Sequence, residues 1–256
     1  GNGGAMWVGS QAMIRNNEFS SNAADESSWG GAIYVQGATT TIQSNTFNSN
    51  SANGGAAINI FDADSVIAGN YITGNTGWSS VRMEPDINQQ VKLILYNNIF
   101  STTNSPAGGF GFGLSMNSGS EWIHLIYNNT FVAQAVGIKC MDTDSRSMDI
   151  SNNIFASNVT GSIQCTGATI TGSNNLFSNN GFNDYPLANP MYVADPLFDI
   201  YSYDGLHLGG QSPAIDHGIN IDWMVDDYDG QARPMGTFDI GADEYYAFIY
   251  LPMIQR

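Results

Sequence analysis

The chain has 256 residues, of which 42% are hydrophobic and only 12% are charged, against about 25% charged residues in an ordinary soluble domain. Asp and Glu number 23 and Lys and Arg number 7, which gives a formal net charge of −16. Binding to nucleic acid or to an anionic membrane surface needs a basic face, so this balance argues against both partners. The longest apolar run, residues 247–254, contains Pro252 and is shorter than the roughly 20 residues of a spanning helix, so no membrane span is predicted.

A repeat runs through the first 180 residues. Each copy has an aliphatic residue, two spacers, Asn, one spacer and an apolar residue that is usually Phe. We expect this column to fill the core, with Phe47, Phe100, Phe131 and Phe155 buried. The repeated asparagines are Asn17, Asn45, Asn70, Asn98, Asn129, Asn153 and Asn175, at spacings of 22 to 31 residues. Because the 29 glycines and the many Asn, Ser and Thr residues leave few helix formers, we expect each copy to contain strands and turns.

A short alternating strand precedes most of these asparagines by about ten residues. The strands cover residues 6–8, 33–35, 58–60, 81–83, 114–116, 138–140 and 163–165. Their outer positions are apolar or thiol and their middle position varies, as in a strand with one buried face. A coil of this length is typical of one turn of a parallel β-solenoid, in which stacked Asn amides bond each other along the axis. A leucine-rich repeat also has an Asn column, but it needs many more leucines than this chain has.

The pattern from residue 3 to about 180 resembles the right-handed parallel β-helix repeat proteins, a superfamily that includes pectate lyases and many bacterial surface proteins. The resemblance implies the right-handed winding. The predicted fold is therefore all-β: a right-handed parallel β-helix of about seven coils over residues 1–180, an irregular C-terminal cap over residues 181–246, and an apolar tail over residues 247–256. The cap is expected to cover the strand edges of the last coil.

Ordered motifs in the cap resemble the choice-of-anchor Q region that follows β-helix repeats in exported bacterial proteins. These motifs are Asp195-Pro196-Leu197-Phe198, Leu206-His207-Leu208, Ser212-Pro213-Ala214-Ile215-Asp216, Asp229-Gly230-Gln231-Ala232-Arg233-Pro234 and Asp239-Ile240-Gly241-Ala242-Asp243-Glu244-Tyr245. The resemblance implies an extracellular or cell-surface location; it does not indicate any biochemical activity.

The middle residue of each alternating strand points outward, and together these residues form a candidate carbohydrate-binding row. The row is Trp7, Tyr34, Asn59, Arg82, Ser115, Lys139 and Gln164. Aromatic and polar groups suit sugar faces and acidic substituents, although an ordinary solvated face explains the same variety. Lys139 and Arg82 are two coils apart, about 10 Å, so a polysaccharide lyase could use them as base and carboxylate-neutralising group. The row has no carboxylate pair for hydrolysis.

Acidic residues in the cap suggest two structural roles. Arg233 lies among Asp216, Asp229 and Asp239 in sequence, and we expect a structural ion pair that ties the cap together. Asp227 and Asp229 are candidate calcium ligands, although their spacing does not match an EF-hand loop, and calcium is the only cofactor that the sequence suggests. The histidines His124, His207 and His217 are scattered and have no nucleophile motif near them.

Cys140 and Cys165 occupy the same inward strand position in consecutive coils. Registered parallel strands hold the two Cβ vectors side by side, so we expect stacked, buried thiols in place of a disulfide. The first strand begins only a few residues into the chain, which predicts an open edge and self-association through the N-terminal coil; a truncated longer chain would give the same pattern.

These features favour an exported, noncatalytic β-helix surface domain that binds polysaccharide or associates with itself. The alternatives are a polysaccharide lyase that acts on uronate-containing polymers by β-elimination, and a structural module that assembles end to end.

Overall fold

The computed structural model describes residues 1–25, 27–86, 91–117, 123–141, 147–182 and 187–247. Within these residues the structure has 24 short strands and no helix, so no described segment could cross a membrane as a helix. Three parallel sheets wrap a common core, and each coil adds one strand to each sheet. The all-β parallel solenoid is therefore confirmed, and its seven coils make about six full turns between the first and last strands of a sheet. The predicted tail, apart from residue 247, lies outside the described residues.

Sheet A contains the alternating strands that the sequence pattern predicts. Its seven parallel strands are, in stacking order, β1 (Met6–Val8), β4 (Ile33–Gln36), β7 (Ile58–Phe61), β10 (Ser79–Glu84), β13 (Phe112–Met116), β16 (Val136–Cys140) and β19 (Gly161–Gln164). The outward row is in register, because Trp7 pairs with Tyr34, and Arg82 pairs with both Asn59 and Ser115.

Sheets B and C flank the repeated Asn in every coil. Sheet B consists of β2 (Ala12–Arg15), β5 (Thr40–Gln43), β8 (Ser65–Ala68), β11 (Leu93–Tyr96), β14 (Ile123–Tyr127), β17 (Ser147–Ser151) and β20 (Thr169–Thr171). Sheet C consists of β3 (Glu18–Ser20), β6 (Thr46–Asn48), β9 (Tyr71–Thr73), β12 (Ile99–Ser101), β15 (Thr130–Val132), β18 (Ile154–Ala156), β21 (Leu176–Ser178) and β22 (Met191–Val193). The antiparallel pair β23 (Phe198–Asp199) and β24 (His207–Leu208) belongs to the cap.

The phenylalanines of the repeat form a stacked column inside the solenoid. Phe100, Phe131, Phe155 and Phe177 have ring centroids 4.6, 5.2 and 5.5 Å apart in succession. Phe47, Phe100, Phe131 and Phe155 are fully buried, so their predicted burial is confirmed. Parallel strands at the same register place equal side chains above each other, and the rings fill the core at van der Waals distance.

The repeated asparagines form a continuous ladder at the corner between sheets B and C. Each Nδ2 donates to the Oδ1 of the Asn one coil further on, at 2.9 to 3.1 Å, from Asn17 through to Asn175. The same Oδ1 also accepts the backbone N–H of the preceding coil. The ladder therefore satisfies both side chain and backbone at a sharp corner, where an unpaired buried amide would be costly.

A second ladder, which the sequence analysis did not identify, follows sheet C. Asn22 donates to Asn50, Asn50 donates to Asn75, and Asn158 donates to Asn180, at 2.8 to 3.0 Å. These residues lie five positions after the first-ladder asparagines, a spacing that was readable in the sequence. In two other coils, Thr103 and Gln134 stand at this position in place of Asn, which makes the second column harder to recognise in the sequence.

The cap continues the solenoid only at its beginning. Leu187 packs in the core and β22 pairs with β21, so residues 187–193 cover part of the last coil. Most of the cap instead lies along the side of the solenoid, which corrects the expectation of an end cap. Its buried Ile240 and Leu208 pack on the outer face of sheet C, and its Phe238 packs near Tyr127 of sheet B.

Asparagines immediately before the ladder hold the cap in this position. Their backbones are left-handed, with φ between 50° and 58°, which turns their side chains outward from the corner. Asn97, Asn128, Asn152 and Asn174 donate to the carbonyl oxygens of Asp226, Asp239, Ile219 and His217, at 2.7 to 2.9 Å. In each of these four Asn-Asn pairs, the first residue binds the cap and the second belongs to the ladder.

Cys140 and Cys165 form a disulfide, so the expectation of free stacked thiols is wrong. Their Cα atoms are 4.6 Å apart, as parallel stacking predicts. Strand β19 ends at Gln164, one residue before Cys165. Because the paired register of β16 and β19 ends at Lys139 and Gln164, strand pairing does not hold the two cysteine side chains parallel, and the sulfurs can meet.

Candidate functional site

The outward row of sheet A is largely covered, contrary to the expectation of a flat exposed face. Trp7 is 58% exposed, whereas Tyr34, Asn59, Arg82 and Ser115 are all buried. Lys139 and Gln164 are half-buried, and the Lys139 ammonium donates to the Gln164 side-chain oxygen at 3.2 Å. The row therefore offers a ligand one exposed ring at its first end and two half-buried polar groups at its last end, with no continuous surface between them.

Arg82 is covered by the loop of an earlier coil. Its guanidinium lies 4.2 Å from the centre of the Trp29 ring and donates to Glu84 at 3.0 Å. Gly54 lies against both groups, since a Cβ atom there would come within 2.8 Å of the Trp29 ring and 3.0 Å of the Arg82 guanidinium. The cation–π contact and the ion pair fix the loop on the sheet, so the positive charge of Arg82 is already engaged.

Most acidic side chains of the cap accept backbone N–H groups. Asp227 Oδ1 accepts from Asp229 and Gln231, and its Oδ2 accepts from Glu244, at 2.8 to 3.1 Å. All these bonds tie irregular backbone together where no sheet ladder is present. The candidate calcium ligand Asp227 is thus occupied by three backbone donors and is buried.

Arg233 has the predicted structural role. It donates to the carbonyl oxygens of Asp239, Gly241 and Ala242 at 2.9 to 3.2 Å, and its Nε lies 3.4 Å from the Glu244 carboxylate. Its ion-pair partner is Glu244, whereas the sequence analysis expected Asp216, Asp229 or Asp239. Both side chains are almost completely buried.

An open cleft of about 770 Å³ lies in the cap between the β23–β24 pair and the 229–246 segment. Four tyrosines and several polar side chains line the cleft: Tyr201, Tyr203, Tyr245, Tyr246, His207, Gln211, Asp229, Gln231, Asp243 and Glu244. Tyr201 and Tyr203 are 90% and 72% exposed, so their rings are open to solvent. Of these residues, the sequence analysis proposed only Asp229 as a ligand, for calcium, and it assigned the cleft no glycan.

His207 stands at the wall of this cleft with carboxylates on both sides of its ring. Its Nδ1 is 2.9 Å from Asp204 Oδ1, and its Nε2 is 2.6 Å from Asp229 Oδ2. The Asp204-Gly205 turn, in which Gly205 has a φ of 71°, places Asp204 beside the ring, and Asp204 Oδ1 also accepts the N–H of Leu206. Single ligand atoms of His207, Asp229 and Asp243 lie within 4.8 Å of one another.

Burial and neighbouring charges shift the pKa values of His207 and Asp243. Burial lowers the pKa of His207, but the hydrogen bonds to Asp204 and Asp229 outweigh burial and raise it to about 10. Burial raises the pKa of Asp243 to about 7, against the Leu208 N–H bond that its Oδ2 accepts at 2.6 Å. At neutral pH and without a bound cation, His207 is therefore protonated and lies among carboxylates.

The structure brings together residues that the sequence analysis kept apart. Asp229 was a candidate calcium ligand with Asp227, but it faces His207. The Asp204-x-x-His207 spacing was visible in the sequence; the proximity of Asp229 and Asp243 depends on the fold of the cap and was not.

The family model described as right handed beta helix region matches residues 3–183. This chain belongs to that family. The match supports the right-handed winding that the sequence resemblance implied. A search of curated proteins found no match. The family match ends before most of the cap, so the resemblance of the cap to the choice-of-anchor Q region stays a prediction.

Proposed function

We propose that this right-handed β-helix protein is an exported, noncatalytic glycan-binding domain, and that the cleft of the cap holds the glycan. The observation that carries the proposal is the lining of the cleft by exposed tyrosine rings beside amide and carboxylate groups. Sugar rings stack their C–H faces on aromatic rings and give hydroxyl hydrogen bonds to such polar groups.

Charge narrows the class of glycan. The net charge of −16 and the carboxylates of the cleft oppose the approach of an acidic polymer. The expected ligand is therefore a neutral polysaccharide, whose hydroxyls can donate to the carboxylate of Asp229 in the cleft.

The disulfide supports the proposed location. Structural disulfides persist mainly in oxidising compartments, such as the cell exterior and the periplasm. The Cys140–Cys165 bond is therefore consistent with an extracellular or cell-surface protein.

Affinity electrophoresis against neutral and uronate-containing polysaccharides tests the proposal. The variant Tyr201→Ala should weaken binding to a neutral polymer about 2- to 10-fold, the value of one aromatic stacking contact. Trp7→Ala is the matched control, because it removes an exposed aromatic ring from the sheet A row. Loss of binding in the Trp7 variant alone would place the ligand on sheet A, and absence of binding to every polymer would overturn the function.

A polysaccharide lyase is the second candidate, and the register of sheet A favours it in one respect. Ser115 pairs with both Arg82 and Lys139, so the two cationic residues stand two coils apart on one face. The burial of Arg82 opposes this candidate. Release of unsaturated, ultraviolet-absorbing products from a uronate polymer would establish a lyase, and replacing Lys139 by Gln should then abolish that release.

Self-association through the N-terminal coil is a third candidate. Strands β1, β2 and β3 form an edge of their respective sheets, and Met6 and Met13 are exposed there. Sedimentation over a concentration series tests this candidate: growth in mass would support it, and a constant monomer mass would reject it.

A further inference from the structure

We infer that His207, Asp229 and Asp243 form a binding site for a divalent transition-metal ion of the zinc class, with Asp204 as the residue that positions His207. The site goes beyond glycan binding, because a metal ion bound here does not require a sugar in the cleft. It also differs from the calcium site expected at Asp227 and Asp229.

The first support is the geometry of the possible ligands. One nitrogen of His207 and one oxygen each of Asp229 and Asp243 lie within 4.8 Å of one another. Ligands at zinc–nitrogen and zinc–oxygen distances lie roughly 3.4 Å apart around a tetrahedral ion. The 2.6 Å contact between His207 Nε2 and Asp229 Oδ2 must therefore lengthen by about 0.8 Å. Asp229 lies on an exposed turn and can make that adjustment.

The second support is Asp204, which is independent of those ligands. Its side chain is completely buried, and its Oδ1 lies 2.9 Å from His207 Nδ1. Its Oδ2 has no hydrogen-bond partner within the described part of the chain. A buried carboxylate with an unsatisfied oxygen is costly unless a positive charge lies nearby. Metal-binding histidines commonly donate their second ring nitrogen to such a carboxylate, which turns Nε2 toward the ion.

The third support is access and the type of ligand. All three candidate ligands line the open cleft, so an ion and its remaining ligands can enter from solvent. One imidazole and two carboxylates suit zinc-class ions, whereas calcium prefers six to eight oxygen ligands. Tyr203 and Tyr228 flank the His207 ring at centroid distances of 5.0 and 6.0 Å and limit its rotation.

Isothermal titration of the untagged, chelator-treated full chain with ZnCl₂ tests the inference. We expect one saturable site. Asp229→Asn should weaken binding at least tenfold, and Asp204→Asn should weaken it about 10- to 100-fold through loss of His207 positioning. His217→Asn is the matched control, because His217 is exposed and its Nδ1 contacts the carbonyl of Ile215; it should leave the affinity unchanged.

A spectrum separates coordination from nonspecific adsorption. Loading with Co²⁺ should give visible d–d bands that the Asp229→Asn variant alters, while circular dichroism shows that this variant retains its β structure. Absence of saturable Zn²⁺ binding, binding that neither Asp variant weakens, or tighter binding of Ca²⁺ than of Zn²⁺ would overturn the inference. The cluster would then be a structural ion pair of protonated His207 with its carboxylates. None of these readouts uses a glycan, so a failure here leaves the proposed glycan binding intact.

Discussion

The solenoid and the cap both depend on side-chain hydrogen bonds, but the acceptors of these bonds are arranged differently in the two regions. In the solenoid, an Asn such as Asn98 bonds the equivalent residues one coil before and one coil after it. In the cap, Asp227 and Glu244 each accept backbone N–H groups at unrelated positions. In the solenoid, the repeat spacing alone determines which side chains bond each other. In the cap, each hydrogen-bonded pair depends on the particular path of the backbone.

The largest expected effect lies in the repeated core. Phe131→Ala removes a fully buried ring that stacks on Phe100 and Phe155. It should lower the free energy of unfolding by about 3–5 kcal/mol, measured by urea denaturation. Tyr192→Ala is the control, because Tyr192 stacks on Phe177 in the same column but is exposed. Equal losses in the two variants would contradict a core that is buried by stacking.

The corresponding test in the cap is Arg233→Met. This change leaves the buried Glu244 carboxylate without its ion-pair partner, which should cost about 3–5 kcal/mol. Hydrogen exchange should become faster in residues 195–246 and remain slow in sheet A, because the ion pair joins cap segments only. Arg15→Met, at an exposed position of the solenoid, is the control. Equal loss of protection in the solenoid would mean that the two regions unfold as one unit.

The difference between the regions also explains which structural features could be predicted from the sequence. The strand positions, the first Asn ladder and the burial of Phe131 followed from periodicity, since equal residues must stack. The sequence analysis did not foresee that the Trp29 loop covers Arg82, because loops between repeats vary in length and composition. It could not foresee the cluster around His207 either: Asp229 and Asp243 approach that ring through irregular turns with no repeating pattern.

The disulfide lies in the last coils of the solenoid, close to the start of the cap. Replacing both Cys140 and Cys165 by Ala should lower the free energy of unfolding by about 2–4 kcal/mol, because the bond closes a loop with a sequence separation of 25. Urea denaturation of the wild type with and without reductant should show a similar difference. Alkylation of unfolded, unreduced protein should find no free thiol by mass spectrometry, and two alkylated cysteines would contradict the bond.

The smallest expected effects come from variants of two neighbouring residues, Asn98 in the ladder and Asn97 in contact with the cap. Asn98 is fully buried and donates to the carbonyl oxygens of Ile67 and Tyr96 as well as to the next Asn of the ladder. Asn98→Ala leaves several buried groups unsatisfied and should cost about 2–3 kcal/mol of unfolding free energy. Asn97 contributes one bond to the cap, from Nδ2 to the carbonyl of Asp226 at 2.7 Å.

Asn97→Gly isolates that single contact, because glycine accepts the left-handed φ of 52° without strain. It should cost about 1 kcal/mol, and hydrogen exchange should become faster around Asp226 while the strands of sheet B stay protected. Asn98→Ala should instead weaken protection in the coils on both sides of it, since its partners lie in β8 and β11 and in the next coil. If Asn97→Gly were as costly as Asn98→Ala, cap and ladder would be one cooperative network, and the division of roles within the Asn-Asn pairs would be wrong.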